Sequence, residues 1–381
     1  MKIVQLANFV SEVSGGIRTT LDALGRGYGN SGVERVLVVP GPRDAVSQRT
    51  DGVRVEIGSP RVPSAGGYRI ITRLHEVRRV VGRLAPDALE VSDRLTLARI
   101  GPWASQRGIR TLVFAHERLD ATLAHRLPGL FRSRPTADRL NRWLAGAFDT
   151  VACASAFTME EFTRVRAANA VRVPLGVDLD RFSPNRQSHS LRQRLAAPEE
   201  VLLVHCSRLS SEKRPAHALA AVRALVKRGV HARLYIAGDG PLRRELEVAA
   251  AALPVTFLGH VSDRSQLAAL FATADAVLAP APAETFGLAA LEALACGTPV
   301  VCADTGALPE LLAPGAGVAI AGYGHAFAAG VLGVLEWDVA SRRAAARRRA
   351  ECFPWRKTVE AMLALHRAKR ARRPGTGARR P

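Results

Sequence analysis

Lysine is scarce in this chain, although its charge is strongly basic. Five of its 54 cationic side chains are Lys (Lys2, Lys213, Lys227, Lys357, Lys369), so the net charge of +20 rests on arginine. Cysteine is scarce as well. The five present (Cys153, Cys206, Cys296, Cys302, Cys352) show no CxxC spacing, which argues against a zinc site or a disulfide framework and fits a reducing cytoplasm. Aromatic residues make up 5% and no nucleic-acid module is visible, so the charge alone is a thin argument for nucleic-acid binding. No GxGxxG follows the first strand-like run, and a hydride-transfer reading loses its main support. The N-terminus lacks secretory character, because polar residues soon end the short run after Lys2. One long stretch without formal charge exists, residues 311–335, but Pro314 and glycines 315, 317, 322, 324, 330 and 333 divide it into strand, loop and helix pieces.

What is present points to a folded α/β protein. The 381 residues are 48% hydrophobic, enough for two cores. Short apolar runs alternate with amphipathic ones. Strands are expected at residues 2–6, 36–39, 53–57, 88–91, 111–115 and 151–154, then at 201–206, 233–237, 255–258, 276–278, 300–302 and 318–320. Helices are expected at 17–27, 70–84, 216–228, 241–251, 265–272 and 286–295. Repeated βαβ units imply two parallel sheets covered on both faces. The joint falls near residues 173–180, where Pro174 and Gly176 punctuate the chain.

Chemistry concentrates just beyond strand ends, where open α/β sheets bind ligands. Ser14-Gly15-Gly16 lies between the first strand and its helix; it suits either a phosphate at a helix N-terminus or a tight turn. Arg208 and Lys213 share one loop after the strand 201–206, a spacing that lets both reach one pyrophosphate, though two solvated cations would give the same letters. Gly238-Asp239-Gly240 opens the next helix, as a seat for a flat base or as a plain turn. The sharpest element is Glu284-Thr285-Phe286-Gly287-Leu288, followed by Glu292. Here a helix starting at Phe286 aims the amides of Phe286, Gly287 and Leu288 at an anion. Glu292, about two turns in, needs a partner on an apolar helix: sugar or ribose hydroxyls, or a structural arginine. His116 stands just past the strand 111–115, at the same edge as Gly15 and Gly16.

These segments together resemble glycosyltransferase family 4, the retaining enzymes of the GT-B fold. The resemblance covers nearly the whole chain, through Gly15-Gly16, Ser207-Arg208-Leu209 with Lys213, Gly238-Asp239-Gly240-Pro241, and the paired Glu284 and Glu292 around Phe286-Gly287-Leu288. Residues 86–97 and 116–120 are most similar to actinobacterial phosphatidylinositol-mannoside α-mannosyltransferases. Two Rossmann-like domains facing across a cleft are thereby implied: residues 1–174 on the acceptor side and 175–353 on the nucleotide-sugar side. A C-terminal helix within 354–373 crosses back to the first domain, and a disordered basic tail occupies 374–381.

The resemblance also implies roles. Arg208 and Lys213 hold the donor diphosphate, Glu284 binds the transferred sugar, and Glu292 holds the ribose. Gly240 and Val261 frame the base, Gly15 and Gly16 close over the phosphates, and His116 faces sugar and acceptor. Phe286, Gly287 and Leu288 contribute donor contacts. The implied reaction retains configuration, moving an α-mannosyl group from GDP-mannose to a glycolipid such as a phosphatidylinositol mannoside, with no cofactor and no metal. A UDP-sugar with a soluble or polysaccharide acceptor is the alternative. Ser207 stands where the family commonly has Gly, and the region around Tyr323 lacks the acidic residues often seen late in the family.

The partners expected are a sugar nucleotide, a glycolipid and an anionic membrane surface, with no nucleic acid. The expected location is cytoplasmic, peripheral on the inner membrane face. The surface reading rests on residues 68–84, with Ile70, Ile71, Leu74, Val77 and Val81 beside Arg69, Arg73, Arg79 and Arg83. It rests equally on residues 118–143, which mix Arg126, Arg132, Arg134, Arg139 and Arg142 with Leu127, Leu130 and Phe131. Ordinary packed helices with solvated arginines would look the same.

Overall fold

A computed structural model describes residues 1–10, 15–62, 67–126 and 133–368. The expected tail at 374–381 and the residues Leu127, Leu130, Phe131 and Arg132 lie outside the described residues.

The chain builds two sheets in succession. The first holds β1 (Lys2–Leu6), β2 (Glu34–Gly41), β3 (Ala45–Arg49), β4 (Gly52–Gly58), β5 (Ala88–Val91), β6 (Arg110–Ala115), β7 (Thr150–Cys153) and β8 (Ala170–Arg172). Their order across the sheet is β3-β4-β2-β1-β5-β6-β7-β8, parallel throughout except for the β3–β4 hairpin. The second holds β9 (Val201–Cys206), β10 (Ala232–Ala237), β11 (Val255–Gly259), β12 (Ala276–Ala279), β13 (Val300–Ala303) and β14 (Gly317–Ile320), in the order β11-β10-β9-β12-β13-β14, all parallel. Both are doubly wound α/β sheets, built in succession as two halves of the chain.

The central strands are continuous apolar runs because helices cover both faces, as Val-Ala-Cys of β7 and Val-Val-Cys-Ala of β13 illustrate. Two strands escaped the sequence pattern. β3 is a mostly exposed, polar edge strand paired on one side only, and β8 is three residues long.

The helix expected over 70–84 begins at Leu74. Upstream, Ile70 N–H donates to the Pro60 carbonyl and Ile71 N–H to Asn8 Oδ1, so extended backbone claims those donors first. Ile71, Val77 and Val81 are fully buried, and the apolar stripe faces the protein core. The uncharged stretch 311–335 resolves into β14 and the helix Gly324–Leu335. Among the described residues no helix is long and apolar enough to cross a membrane.

The connections between the halves pair with each other: Val177 N–H donates to the Phe353 carbonyl, beside a bridge from Val177 to Pro354. The final helix, Trp355–Arg367, then lies on the helix Gly16–Asn30 of the first half. A Cβ on Gly27 would overlap Val359, so glycine permits this close approach. His366 inserts beside Glu90 of β5 at 3.2 Å, and Thr358 Oγ1 donates to the Pro174 carbonyl at 2.8 Å. Arginines of the helix Val339–Ala350 also tie these segments together. Arg347 Nη1 donates to the carbonyls of Leu179, Phe182 and Ala295, and Arg349 donates to those of Glu310 and Leu311.

Candidate active site

The strand order of the second sheet reverses between β9 and β12, the place where open α/β sheets bind ligands. The loop after β9 carries Arg208 and, on the 3-10 turn Ser211–Lys213, the lysine. The loop after β12 carries Glu284. Lys213 Nζ donates to Glu284 Oε2 at 2.6 Å, while Thr285 N–H donates to Glu284 Oε1 at 3.2 Å. Burial works against both charges, but each is rescued by the other. The Lys213 ammonium, with the Thr285 and Phe286 amides, holds Glu284 below the usual carboxylate range, and Glu284 raises Lys213. The two sequence-predicted groups therefore meet as an ion pair at the switch point.

Arg208 is exposed in the same loop, with its guanidinium 5.8 Å from the centre of the Tyr68 ring of the first half. The loop's shape explains the glycines that follow β10. A Cβ on Gly238 would overlap Ser207, and one on Gly240 would overlap Leu209, both at backbone atoms. Leu209 N–H also donates to the Asp239 carbonyl at 3.0 Å. These glycines approach the Arg208 loop, where the sequence had offered a base or a turn. Val261 lies half-buried in the loop after β11, against the apolar cluster that contains Phe286 and Leu291.

The helix after Glu284 starts two residues later than expected, at Leu288, with Gly287 before it in the left-handed region at φ 95°. Phe286 is outside the helix; its ring is buried edge-on against Phe353 at 6.3 Å. The nearby amide donors of Thr285 and Phe286 serve the carboxylate of Glu284 itself. Glu292 consequently stands one turn into the helix and not two. It is buried and ion-paired with Arg264, yet burial outweighs that partner and raises its pKa. Arg264 had given no signal in the sequence beyond its position at the start of a helix after the residue 259–262 loop.

From the first half, His116 follows β6. Its ring stacks on Phe114 at 4.3 Å, and Nε2 lies 3.2 Å from Ser92 Oγ. Burial pushes the imidazole down to about 4, with Glu90 opposing and Arg94 assisting, so it is neutral at pH 7. The halves touch here. Thr285 Oγ1 donates to the His116 carbonyl at 2.7 Å, which brings the histidine strand end against the Glu284 loop. A Cβ on Gly16, in the first turn of its helix, would lie 3.6 Å from Leu288 Cδ1, so the N-terminal glycine turn faces the same loop. Gly15 caps that helix with open space around it. Among the described residues no group of three His, Cys, Asp or Glu side chains is placed to hold a metal ion.

Two doubly wound sheets, with an ammonium–carboxylate pair at the switch point of one against a histidine-bearing strand end of the other, make up a two-domain α/β protein whose halves meet at this candidate site. A model described as Glycosyltransferase Family 4 matches residues 14–181, and one described as Glycosyl transferases group 1 matches residues 187–351. A Mycobacterium tuberculosis protein named GDP-mannose-dependent alpha-(1-6)-phosphatidylinositol dimannoside mannosyltransferase is 47% identical over 365 residues, covering 96% of this chain and 95% of its own. A D-inositol 3-phosphate glycosyltransferase of Actinosynnema mirum is 34% identical over 230 residues, 54% of each chain. Among solved structures, sucrose-phosphate synthase from Thermosynechococcus elongatus aligns with a TM-score of 0.78 at 19% identity, covering 96% of this chain and 98% of that one. The chain belongs to glycosyltransferase family 4.

Proposed function

We propose that this glycosyltransferase moves an α-mannosyl group from GDP-mannose to a phosphatidylinositol mannoside, forming an α-(1-6) linkage with retention. The observation that carries the proposal is the 47% identity, along 96% of the chain, to a mannosyltransferase named for that donor and acceptor. The charged crevice supports it. A nucleoside diphosphate leaving group gains negative charge as the glycosidic bond breaks, and Lys213 and Arg208 stabilise that charge. The Lys213 ammonium has three N–H donors, so it holds a phosphate oxygen while remaining bonded to Glu284. Glu284, kept ionised, accepts hydroxyls of the transferred sugar, and Glu292 with Arg264 binds the ribose. Gly240 and Val261 frame the base, Leu288 and Gly287 line the donor, and Gly15 and Gly16 close on the phosphates. Neutral His116 directs the sugar and acceptor. No carboxylate is assigned as nucleophile; the acceptor hydroxyl attacks on the face the diphosphate leaves, in an ion-pair-like step, as the bond from the anomeric carbon to the diphosphate oxygen breaks and that oxygen takes the hydroxyl proton.

The same reading assigns residues 1–174 to the acceptor, 175–353 to the donor and the C-terminal helix to bracing the first unit. It sets the enzyme in the cytoplasm, on the inner membrane face, with the acceptor lipid as partner and no metal required. Turnover is expected to survive EDTA. Thermal-shift titration with GDP, UDP, ADP and their sugar nucleotides tests the donor. Selective stabilisation by GDP and GDP-mannose is the expected outcome, and selective stabilisation by UDP or UDP-glucose overturns it.

A further inference from the structure

We infer that Thr285, Ser155 and Glu310 are positioning residues that register the sugar-holding carboxylate against His116 across the cleft. The inference rests on the roles proposed above for Glu284 and His116. It is carried by a polar seam between the halves that the chemistry itself does not require.

Thr285 is the residue next to Glu284 and bonds in both directions across the seam. Its hydroxyl donates to the His116 carbonyl at 2.7 Å, and its own carbonyl accepts from Ser155 Oγ at 2.7 Å. Ser155 is also the N-cap of the helix Ala156–Arg164, where the same oxygen accepts from Thr158 N–H. Its lone pair thus serves its own helix and its proton serves the other half. The two remaining amides of that helix end, Ala156 and Phe157, each donate to Glu310 at 2.9 Å. Glu310 comes from the second half, on the turn after β13, and also pairs with Arg172 at 3.0 Å.

The helix carries the registration onward to the histidine loop. One turn past Phe157, fully buried Glu161 accepts from Leu119 N–H at 3.0 Å and Asp120 N–H at 2.8 Å. Arg94, buried beside Glu161, donates to the Glu117 carbonyl. His116 and Glu284 are therefore linked twice: directly through Thr285, and through the helix by way of Ser155, Glu310 and Glu161. The distinction from ordinary packing is chemical. A helix N-terminus and a threonine hydroxyl can take water as partners when the halves part, so the seam re-forms on closure at little cost. Closure through these bonds sets one distance between the donor loop and the acceptor side, and misregistry of about 1 Å between reacting groups costs turnover more than binding.

The test compares Thr285→Val, Thr285→Ser and Ser155→Ala with Glu284→Gln in steady-state mannosyl transfer and in GDP binding by calorimetry. Thr285→Val keeps the shape and loses the bond. It is expected to lower kcat about three- to tenfold, the size of one lost hydrogen bond, with the GDP Kd changed less than twofold. Thr285→Ser restores kcat to within about twofold of wild type, and Ser155→Ala falls as Thr285→Val does. Equal kcat in Thr285→Val and wild type overturns the inference, as does a fall that Thr285→Ser shares or one matched by the GDP Kd. Should Glu284→Gln retain full activity, the site reading fails instead, so the two failures are told apart.

Discussion

Lys213 and Glu284 neutralise each other at 2.6 Å, and neither would be comfortable charged and alone in a partly buried crevice. In the proposed mechanism their ion pair preorganises the site before any donor arrives. Lys213→Ala, Arg208→Ala and Glu284→Ala are each expected to lower kcat at least about 100-fold while leaving the circular dichroism spectrum unchanged. Glu292→Ala raises the donor KM more than it lowers kcat, because that carboxylate lies deeper, paired with Arg264.

His116 makes a separate, pH-dependent prediction. Its folded pKa of about 4 lies below the unfolded value of 6.5. Between those values the unfolded chain binds a proton that the folded chain refuses, so stability falls as pH falls through this window. The loss is up to about 3 kcal/mol. Urea unfolding at pH 7 and pH 4.5 checks this: His116→Gln is expected to narrow the difference between the two by about 2 kcal/mol. An unchanged difference removes the claim. At this scale His116, Arg208, Lys213 and Glu284 were legible because they sit one to seven residues beyond apolar runs. Arg264, Ser155 and Thr285 were not, because an arginine in a chain with 49 of them and hydroxyls in loops carry no distinguishing pattern.

Elements were read best where they are buried. β1, β5 and β9 coincide with apolar runs, and the missed β3 and β8 are edge strands with little to bury. Boundaries shifted where a local bond outbids the helix, as at Ile71 with Asn8, or where a left-handed glycine delays it, as at Gly287. The glycines after β10 were recognised as special but their partner was hidden, since contact with the Ser207–Leu209 backbone is a tertiary fact. Gly240→Ala is expected to push the Arg208 loop out of place, costing about 1–3 kcal/mol of stability and weakening GDP binding together, as urea unfolding and calorimetry will show. Weakened binding at unchanged stability would show that Gly240 acts through the base alone and not through the Arg208 loop.

At the scale of the whole molecule, alternating strands and helices announced two parallel sheets, and the switch point between β9 and β12 then located the candidate site. What sequence left open was how the halves meet. The resemblance had implied the returning C-terminal helix, but not the contacts that join the halves: the seam of Thr285, Ser155 and Glu310, Val359 resting on Gly27, and His366 reaching Glu90. The membrane reading narrows once Ile71, Val77 and Val81 are seen to be core residues. Only charge is left on that helix to attract a lipid surface, through Arg78, Arg79 and Arg83. Flotation with anionic vesicles is therefore expected to be salt-sensitive, and binding that persists at about 1 M salt would contradict a purely electrostatic contact.

The most direct trial is transfer of labelled mannose from GDP-mannose into a phosphatidylinositol dimannoside, followed by determination of the anomeric configuration of the product. The wild-type protein should yield an α-linked trimannoside, and Lys213→Ala and Glu284→Ala should yield none above background. A β-linked product, or undiminished transfer by both variants, would contradict the site and the mechanism built on it.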